Sequence, residues 1–184
     1  MAQYMVQPWA GHLQQLFHMF AYLKSYSRSR ILLEDSEPMV DERNFYKADW
    51  TDFYPDTCEA IPPNAPAPRG NPILILCFVD ADHAGNRITR RSYSGIIIFC
   101  NCAPIQWYSK HQNTVESSSF GSEFVALRIA NEMIKALRYK LQMFGIPLKG
   151  PANVYCDNNS VVTNSTHPES TLHAQSRHSH SLVP

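Results

Sequence analysis

The apolar face of one long predicted helix constrains the fold more than any other feature of the sequence. Positions that alternate in steps of four and three share one helix face. Among the seven residues at these positions only the first is charged. Gly145 and Pro147 mark the end of the helix. The pattern predicts a helix packed on a core, with a carboxylate at the core-facing edge of its first turn, where the helix dipole favours the charge. The stripe reads Glu123, Leu127, Ala130, Ile134, Leu137, Leu141 and Phe144.

Two apolar runs flank this helix, and each is followed by an aspartate. Residues 73–79 are apolar on both alternating faces, which is typical of a central strand covered on both sides, and Asp80 follows. Residues 152–156 form a second run, followed by Asp157. A carboxylate at the end of a buried strand is costly unless it is paired or binds a metal. For either aspartate alone, the ordinary alternative is the start of a turn.

The remaining patterns complete a mixed α/β fold. Residues 94–99 and 105–108 predict two strands around a turn at 101–104, so the first three strands form an antiparallel meander. The run at 152–156 is reached through the long helix and is therefore expected to lie parallel to the first strand. The predicted strand order is 3-2-1-4. A short helix is expected over 158–164, and another over 8–26, where apolar residues recur at helical spacing.

Charge is unevenly distributed, although the net charge is zero. Nine acidic residues face two basic ones between Glu34 and Glu59, and prolines crowd the following stretch, so residues 34–72 are interpreted as an acidic, Pro-rich linker. Between Ala81 and Gly150 nine basic residues face four acidic ones. This excess is the footprint that a phosphate backbone would require, although Arg138 and Lys140, on the helix, are read as ordinary surface residues.

Composition narrows the class of protein. A chain of 184 residues, 44% of them hydrophobic, can bury the core of one domain plus an extension. Its longest apolar run is far shorter than the ~20 residues of a membrane span. The first ten residues lack a secretory signal, and five cysteines, an odd number, fit reduced thiols. We therefore expect an intracellular protein, in the cytoplasm or the nucleus, without a membrane partner.

Three sequence segments resemble the acidic motifs of the ribonuclease H domain in copia-type retrotransposon Pol polyproteins, in the same order. They are FVDADHAGN at 78–86 with TRRSYSG at 89–95, SKHQNTVESSS at 109–119 with SEFVAL at 122–127, and VYCDNNS at 154–160. The resemblance covers residues 73–172. It implies a ribonuclease H-like mixed sheet with packed helices. It also implies that residues 1–33 are a remnant of the reverse transcriptase connection helix.

The resemblance implies a reaction as well. The family hydrolyses the RNA strand of RNA–DNA hybrids endonucleolytically with two Mg²⁺ ions, for which Mn²⁺ is a substitute. Asp80 would bridge both ions, and Glu123 and Asp157 would each bind one. The partners would be an RNA–DNA hybrid and the reverse transcriptase domain of an intact element. The residues expected to contact nucleic acid are Arg87, Arg90, Arg91, Lys110 and Asn159.

The sequence departs from the family after Leu172. Family members continue with a helix, a last strand and a final helix that carries a fourth metal-binding Asp. Here residues 173–184 form an atypical tail, expected to be disordered, so the domain is interpreted as truncated at its C-terminus and lacking the last strand and helix. The spacing of His173, His178 and His180 suits no particular metal site.

Two other functions remain open at this point. A catalytically inactive retroelement relic would at most bind nucleic acid. An integrase or transposase of the same fold fits less well, because such enzymes usually order their acidic residues Asp, Asp, Glu, whereas here the Glu lies in the middle.

Overall fold

Strand pairing in the computed structural model, which describes residues 9–41, 43, 54–56 and 58–167, gives one open mixed sheet in the order β3-β2-β1-β4. The predicted order is therefore confirmed. β1 pairs antiparallel with β2, β2 pairs antiparallel with β3, and β4 runs parallel to β1. The described elements are, in chain order, α1 Ala10–Ser25, β1 Ile75–Asp82, β2 Tyr93–Cys100, β3 Ala103–His111, α2 Ser119–Met143, β4 Asn153–Cys156 and α3 Asn159–Thr166.

The chain divides into two compact units between Leu32 and Leu33. The first contains α1, several of whose apolar side chains, including Phe17 and Phe20, are more than half exposed. The second contains the sheet, α2 and α3. Neither α1 nor any other described helix is long and apolar enough to cross a membrane. The predictions made for residues 168–184 lie outside the described part of the chain.

The hydrophobic core lies between α2 and one face of the sheet. Alternate residues of β1 and β2 point toward the helix, which approaches closely because it presents the small side chains of Ala126 and Ala130. Ile134 and Leu137 extend the contact along α2. The buried sheet residues of this core are Ile75, Cys77, Val79, Ala81, Ile96 and Ile98.

The expectation that β1 is covered on both faces is wrong. The face that points away from α2 is buried at Leu74 and Leu76, but Phe78 is 43% exposed and Asp80 is exposed. The strand also extends further than its apolar run, because Asp80, Ala81 and Asp82 still pair with β2. A run that is apolar on both faces thus indicates a central strand, but it does not show that both faces are covered.

α2 begins earlier than predicted and its apolar stripe stops before Phe144, whereas the predicted end of the helix at Gly145 is confirmed. The helix begins at Ser119 and is capped by the side chain of Ser118, so Glu123 lies in the second turn and the helix dipole is not what holds its charge. At the other end, Phe144 is the C-cap and is 76% exposed, so it does not continue the apolar stripe. Gly145 then adopts a φ of 70°, and the amides of Gly145 and Ile146 donate to the carbonyls of Gln142 and Leu141. This double hydrogen bond is the Schellman motif that a glycine permits.

Described parts of the acidic, Pro-rich segment are held against the sheet and α2. The Cys102 amide donates to the Ser36 carbonyl at 3.2 Å, and the Arg69 amide donates to the Gly145 carbonyl at 2.8 Å. Glu59 forms a bidentate ion pair with Arg138, whose side chain is only 14% exposed. A freely moving tether would not make these contacts, so these parts of the segment are packed on the domain.

We expect Gly145→Ala to destabilise the domain more than Gly150→Ala. Both glycines have positive φ, 70° and 68°, so alanine at either position costs about 1–2 kcal/mol of backbone strain. At Gly145 a new Cβ would also lie 3.2 Å from Cγ of Pro66 and 3.3 Å from the carbonyl oxygen of Ala67, whereas at Gly150 it meets nothing within 4 Å. Urea unfolding of both variants should separate them by about a further 1 kcal/mol. Equal losses would show that the Pro-rich segment is not packed on the end of α2.

Candidate metal centre

Two aspartates meet at the edge where the parallel pairing of β1 and β4 ends. The last paired residues are Val79 and Cys156, so Asp80 and Asp157 are the next residue on each strand. Because the carboxyl ends of neighbouring parallel strands lie side by side, these two exposed carboxylates face the same space. The side chain of Asn158 fixes the turn that follows by accepting hydrogen bonds from the amides of Ser160 and Val161.

Glu123 supplies the third carboxylate, from α2. It is only 6% exposed, and its Oε1 accepts a hydrogen bond from the Ala81 amide at 3.2 Å. This amide lies just beyond the point where β4 stops pairing with β1, so the carboxylate takes a backbone donor that a longer β4 would have used. Its other oxygen, Oε2, is buried and accepts no hydrogen bond from a donor in the described residues. A buried acceptor without a partner is costly, and a proton, a water molecule or a cation at this oxygen would relieve the cost.

The three carboxylates influence one another. The pKa of Glu123 is raised to about 7, mainly by burial and in addition by the negative charges of Asp80 and Asp157. A hydrogen bond that protonated Glu123 shares with Asp80 acts in the same direction, whereas the Ala81 amide lowers the pKa. Joint ionisation of carboxylates held this closely is costly, and a cation would offset that cost.

Cys156 is a neighbour of the site that the sequence did not single out. Single ligand-type atoms of Glu123, Cys156 and Asp157 all lie within 4.8 Å of one another. Burial raises the pKa of the Cys156 thiol, and the charges of Glu123, Asp157 and Asp80 raise it further, so the thiol is protonated at neutral pH. A hard cation prefers carboxylate oxygens to a protonated thiol. Strand alternation points Cys156 to the face opposite its neighbours, so the sequence alone gave no signal for it.

A buried polar cluster holds the start of α2 against the sheet. Gln112 is 3% exposed, and its Nε2 donates to the Ser94 hydroxyl and to the Ser122 carbonyl, both at 2.9 Å. The Ser122 hydroxyl donates to the Ser119 carbonyl at 2.8 Å and lies 3.4 Å from Nδ1 of His83. Because Glu123 follows Ser122 directly, this cluster sets the position of its side chain. The sequence signal for this cluster was Ser94, because it is a polar residue on the inward face of a strand whose other inward residues are apolar.

The basic residues expected to contact nucleic acid lie at this end of the sheet. The loop that follows Asp82 carries three of them, and Lys110 pairs with Ser94 near the end of β3. Asn159 begins α3, two residues after Asp157. All five are exposed, namely Arg87, Arg90, Arg91, Lys110 and Asn159.

Two other arginines are engaged elsewhere. Arg138 is bound to Glu59 and to the Gly150 carbonyl, and Arg128 pairs with Glu132 one helical turn away. The interpretation of Arg138 as an ordinary solvated surface residue is therefore wrong, because its side chain is only 14% exposed and is held by Glu59.

The donor set fits hard divalent cations. Asp80, Glu123 and Asp157 offer only carboxylate oxygens, one of which is buried without a partner. Mg²⁺ is bound in proteins by such oxygens together with water and phosphate. Cations held by these carboxylates would place positive charge where a phosphate group could bind. The nearby arginines are exposed to solvent as well.

Comparison with known proteins gives relatives for about half of the chain. The chain is 32% identical over 90 residues to retrovirus-related Pol polyproteins from transposons RE1 and RE2 of Arabidopsis thaliana, and 33% identical over 110 residues to that from transposon TNT 1-94 of Nicotiana tabacum. The matches cover 49% and 59% of the chain but only 6% and 8% of those polyproteins. No family model matches the chain, and no solved structure matches it.

Glu123→Gln should stabilise the metal-free protein at high pH. A pKa of about 7 exceeds the ordinary 4.5, so the folded state binds the Glu123 proton more tightly, and stability falls as pH rises from about 4.5 to about 7. Glutamine retains the Ala81 contact and removes this loss, which is of the order of 3 kcal/mol. Urea unfolding with EDTA should show the gain at pH 8 and none at pH 4.

Glu132→Gln is the matched control. Glu132 lies on the same helix but its side chain is 66% exposed, so its substitution should change stability by less than about 0.5 kcal/mol at either pH. A similar response in the two variants would mean that the charge of Glu123 is not strained in the folded protein.

Proposed function

We propose that this chain, a relative of the Pol polyproteins of transposons, is a ribonuclease H-type endonuclease segment that hydrolyses the RNA strand of RNA–DNA hybrids. The observation that carries the proposal is the convergence of Asp80, Glu123 and Asp157 from two strands and a helix at one edge of the sheet. The relatives support a retrotransposon origin. The order of strands and helices is compatible with a ribonuclease H-like fold.

The three carboxylates would together bind two Mg²⁺ ions. Asp80, which lies beside Asp157 at the strand ends and interacts with Glu123, would contact both ions, and Glu123 and Asp157 one each. When bound, such ions neutralise phosphate charge and lower the pKa of water. The Ala81 amide holds the buried Glu123 carboxylate in place, so the orientation of its second oxygen is fixed. The exposed arginines and Lys110 would bind phosphates of the flanking backbone.

Charge and position support a nucleic acid as the substrate. The carboxylates lie at an open edge of the sheet, where a long polyanion can pass without entering a closed cavity. The cations around them lie on exposed loops and strand ends, as contacts to a backbone would require. A relic that only binds nucleic acid would keep this surface without cutting.

Mg²⁺ or Mn²⁺ should raise the melting temperature of the protein. A ligand at 100 times its dissociation constant stabilises the folded state by about 2.7 kcal/mol. Asp80→Asn should abolish the gain because it removes the carboxylate shared by both ions. Asp82→Asn, on the same face of β1 but two residues away, should retain it. A melting curve that responds to neither ion would remove the metal centre from the proposal.

Cutting of a labelled RNA–DNA hybrid tests the proposed activity. The wild-type protein should cleave only the RNA strand, and Glu123→Gln should reduce the rate by more than about 100-fold, because even the partners of metal ligands are worth 10–100-fold. Salt-dependent binding should change little in this variant, and Glu132→Gln should cut normally. Equal cutting by the Glu123 variant would refute the role of Glu123, and binding without cutting by the wild-type protein would favour the inactive relic.

A further inference from the structure

The Cys156 thiol lies on the side of the sheet that α2 covers. Cys156 pairs with Val79 of the hydrophobic core and packs against the same apolar cluster beneath the helix. It is a free cysteine and is partly buried. The backbone amide of Asn158 donates a hydrogen bond to its sulfur. Packing and a backbone donor therefore set the position of the sulfur, independently of the other face of the sheet.

Glu123 and Asp157 bring carboxylate oxygens close to this sulfur. One ligand atom of each of the three residues lies within 4.8 Å of the other two. In a tetrahedral Zn²⁺ site, with bonds of about 2.3 Å to sulfur and about 2.0–2.2 Å to oxygen, the ligand atoms lie about 3.3–3.7 Å apart. The three residues therefore close around such an ion when their ligand atoms move by about 1 Å. Asp157 is exposed, so its side chain can make this movement.

The buried carboxylate of Glu123 is an independent indication of a ligand at this place. Its side chain is almost fully buried, and the Ala81 amide occupies only Oε1. Oε2 has no hydrogen-bond partner among the described residues. The ionised carboxylate of Asp157 cannot supply a donor, because a carboxylate only accepts, and a thiol is a weak donor. A cation that binds Oε2 together with the Cys156 sulfur relieves the cost of this unpaired acceptor.

We propose that Glu123, Cys156 and Asp157 form a site for Zn²⁺, and that Zn²⁺ bound there prevents the binding of the Mg²⁺ pair. The site stands on its geometry alone, whereas the inhibitory consequence rests on the function proposed above. Zn²⁺ accepts both sulfur and oxygen ligands, whereas Mg²⁺ takes oxygen. On binding, Zn²⁺ displaces the thiol proton of Cys156, which passes to solvent. The fourth position of the ion is filled by water.

The two arrangements share carboxylates, so the ions compete. Glu123 and Asp157 would each bind one ion of the Mg²⁺ pair, and an ion that holds both leaves only Asp80 for a second cation. Two sets of divalent ions in this small space would also repel each other. Zn²⁺ binds a given set of ligands more tightly than Mn²⁺. Zn²⁺ therefore acts as a reversible inhibitor through Cys156, a residue that the Mg²⁺ pair does not use.

Co²⁺ substitution in the full chain tests the site through a signal that requires a sulfur ligand. Sulfur-bound Co²⁺ absorbs in the near ultraviolet by charge transfer, and added Zn²⁺ should remove this band by displacing Co²⁺. The band should be absent in Cys156→Ser and unchanged in Cys58→Ser, the control that removes an exposed thiol. A band that persists in Cys156→Ser, and is lost only when Cys100 and Cys102 are both replaced by serine, would overturn the proposal.

Calorimetric titration with Zn²⁺ and Mn²⁺ separates a ligand from a residue that only supports the fold. Cys156→Ser should bind Zn²⁺ at least about 10-fold more weakly, because even the partners of metal ligands are worth 10–100-fold. The same variant should bind Mn²⁺ within about 2-fold of the wild-type protein, since Mn²⁺ prefers the carboxylates. Glu123→Gln should weaken the binding of both ions. Unchanged Zn²⁺ affinity in Cys156→Ser, or an equal loss for both ions, would overturn the site.

Electron paramagnetic resonance of free Mn²⁺ tests the exclusion without requiring cleavage. One Zn²⁺ per chain should release Mn²⁺ from the wild-type protein, and Cys156→Ser should require at least about 10-fold more Zn²⁺. Full retention of Mn²⁺ beside bound Zn²⁺, or hybrid cleavage that bound Zn²⁺ leaves unchanged, would overturn the exclusion. Zn²⁺ binding through Cys156 in a protein that cuts no hybrid would refute the proposed enzyme alone. Normal cleavage with a Zn²⁺ affinity independent of Cys156 would refute the zinc site alone.

Discussion

The hydrogen bond from the Ala81 amide to the buried Glu123 carboxylate links the fold to the candidate site. It exists because β4 stops pairing at Cys156, which leaves a β1 donor without a strand partner at the place where α2 crosses. The helix thus completes the edge of the sheet with a charged side chain. The same arrangement brings Glu123 to the aspartates that follow the last paired residues of β1 and β4. A single backbone donor therefore fixes the helix, the strand ends and the carboxylates relative to one another.

This arrangement is costly without a cation. The burial that orients Glu123 also raises its pKa to about 7, and one of its oxygens has no hydrogen-bond partner among the described residues. A protein that only required a stable core could place an apolar residue at position 123, as it does at Ala126 and Ala130 on the same helix. A cation at the three carboxylates, as proposed above, would offset the cost of this buried charge.

The sequence predicted the order and direction of the strands because alternation and helical spacing depend on local residues. It also indicated Asp80, Glu123 and Asp157 through the motifs that surround them. It did not predict the exposure of Phe78, since coverage of a strand face depends on what packs there and not on the strand itself. The positions of Gln112 and Cys156 were missed for a related reason, because their roles arise from contacts with residues distant in the chain.

The direct test of the central claim is to locate Mn²⁺ by anomalous diffraction in crystals of the full chain soaked in manganese chloride. The account predicts two peaks about 3.5–4 Å apart, one held by Asp80 and Glu123 and the other by Asp80 and Asp157. The absence of any peak at these carboxylates would contradict the account. So would a single ion held by Glu123, Cys156 and Asp157, because Asp80 would then not be the shared ligand of a two-ion centre.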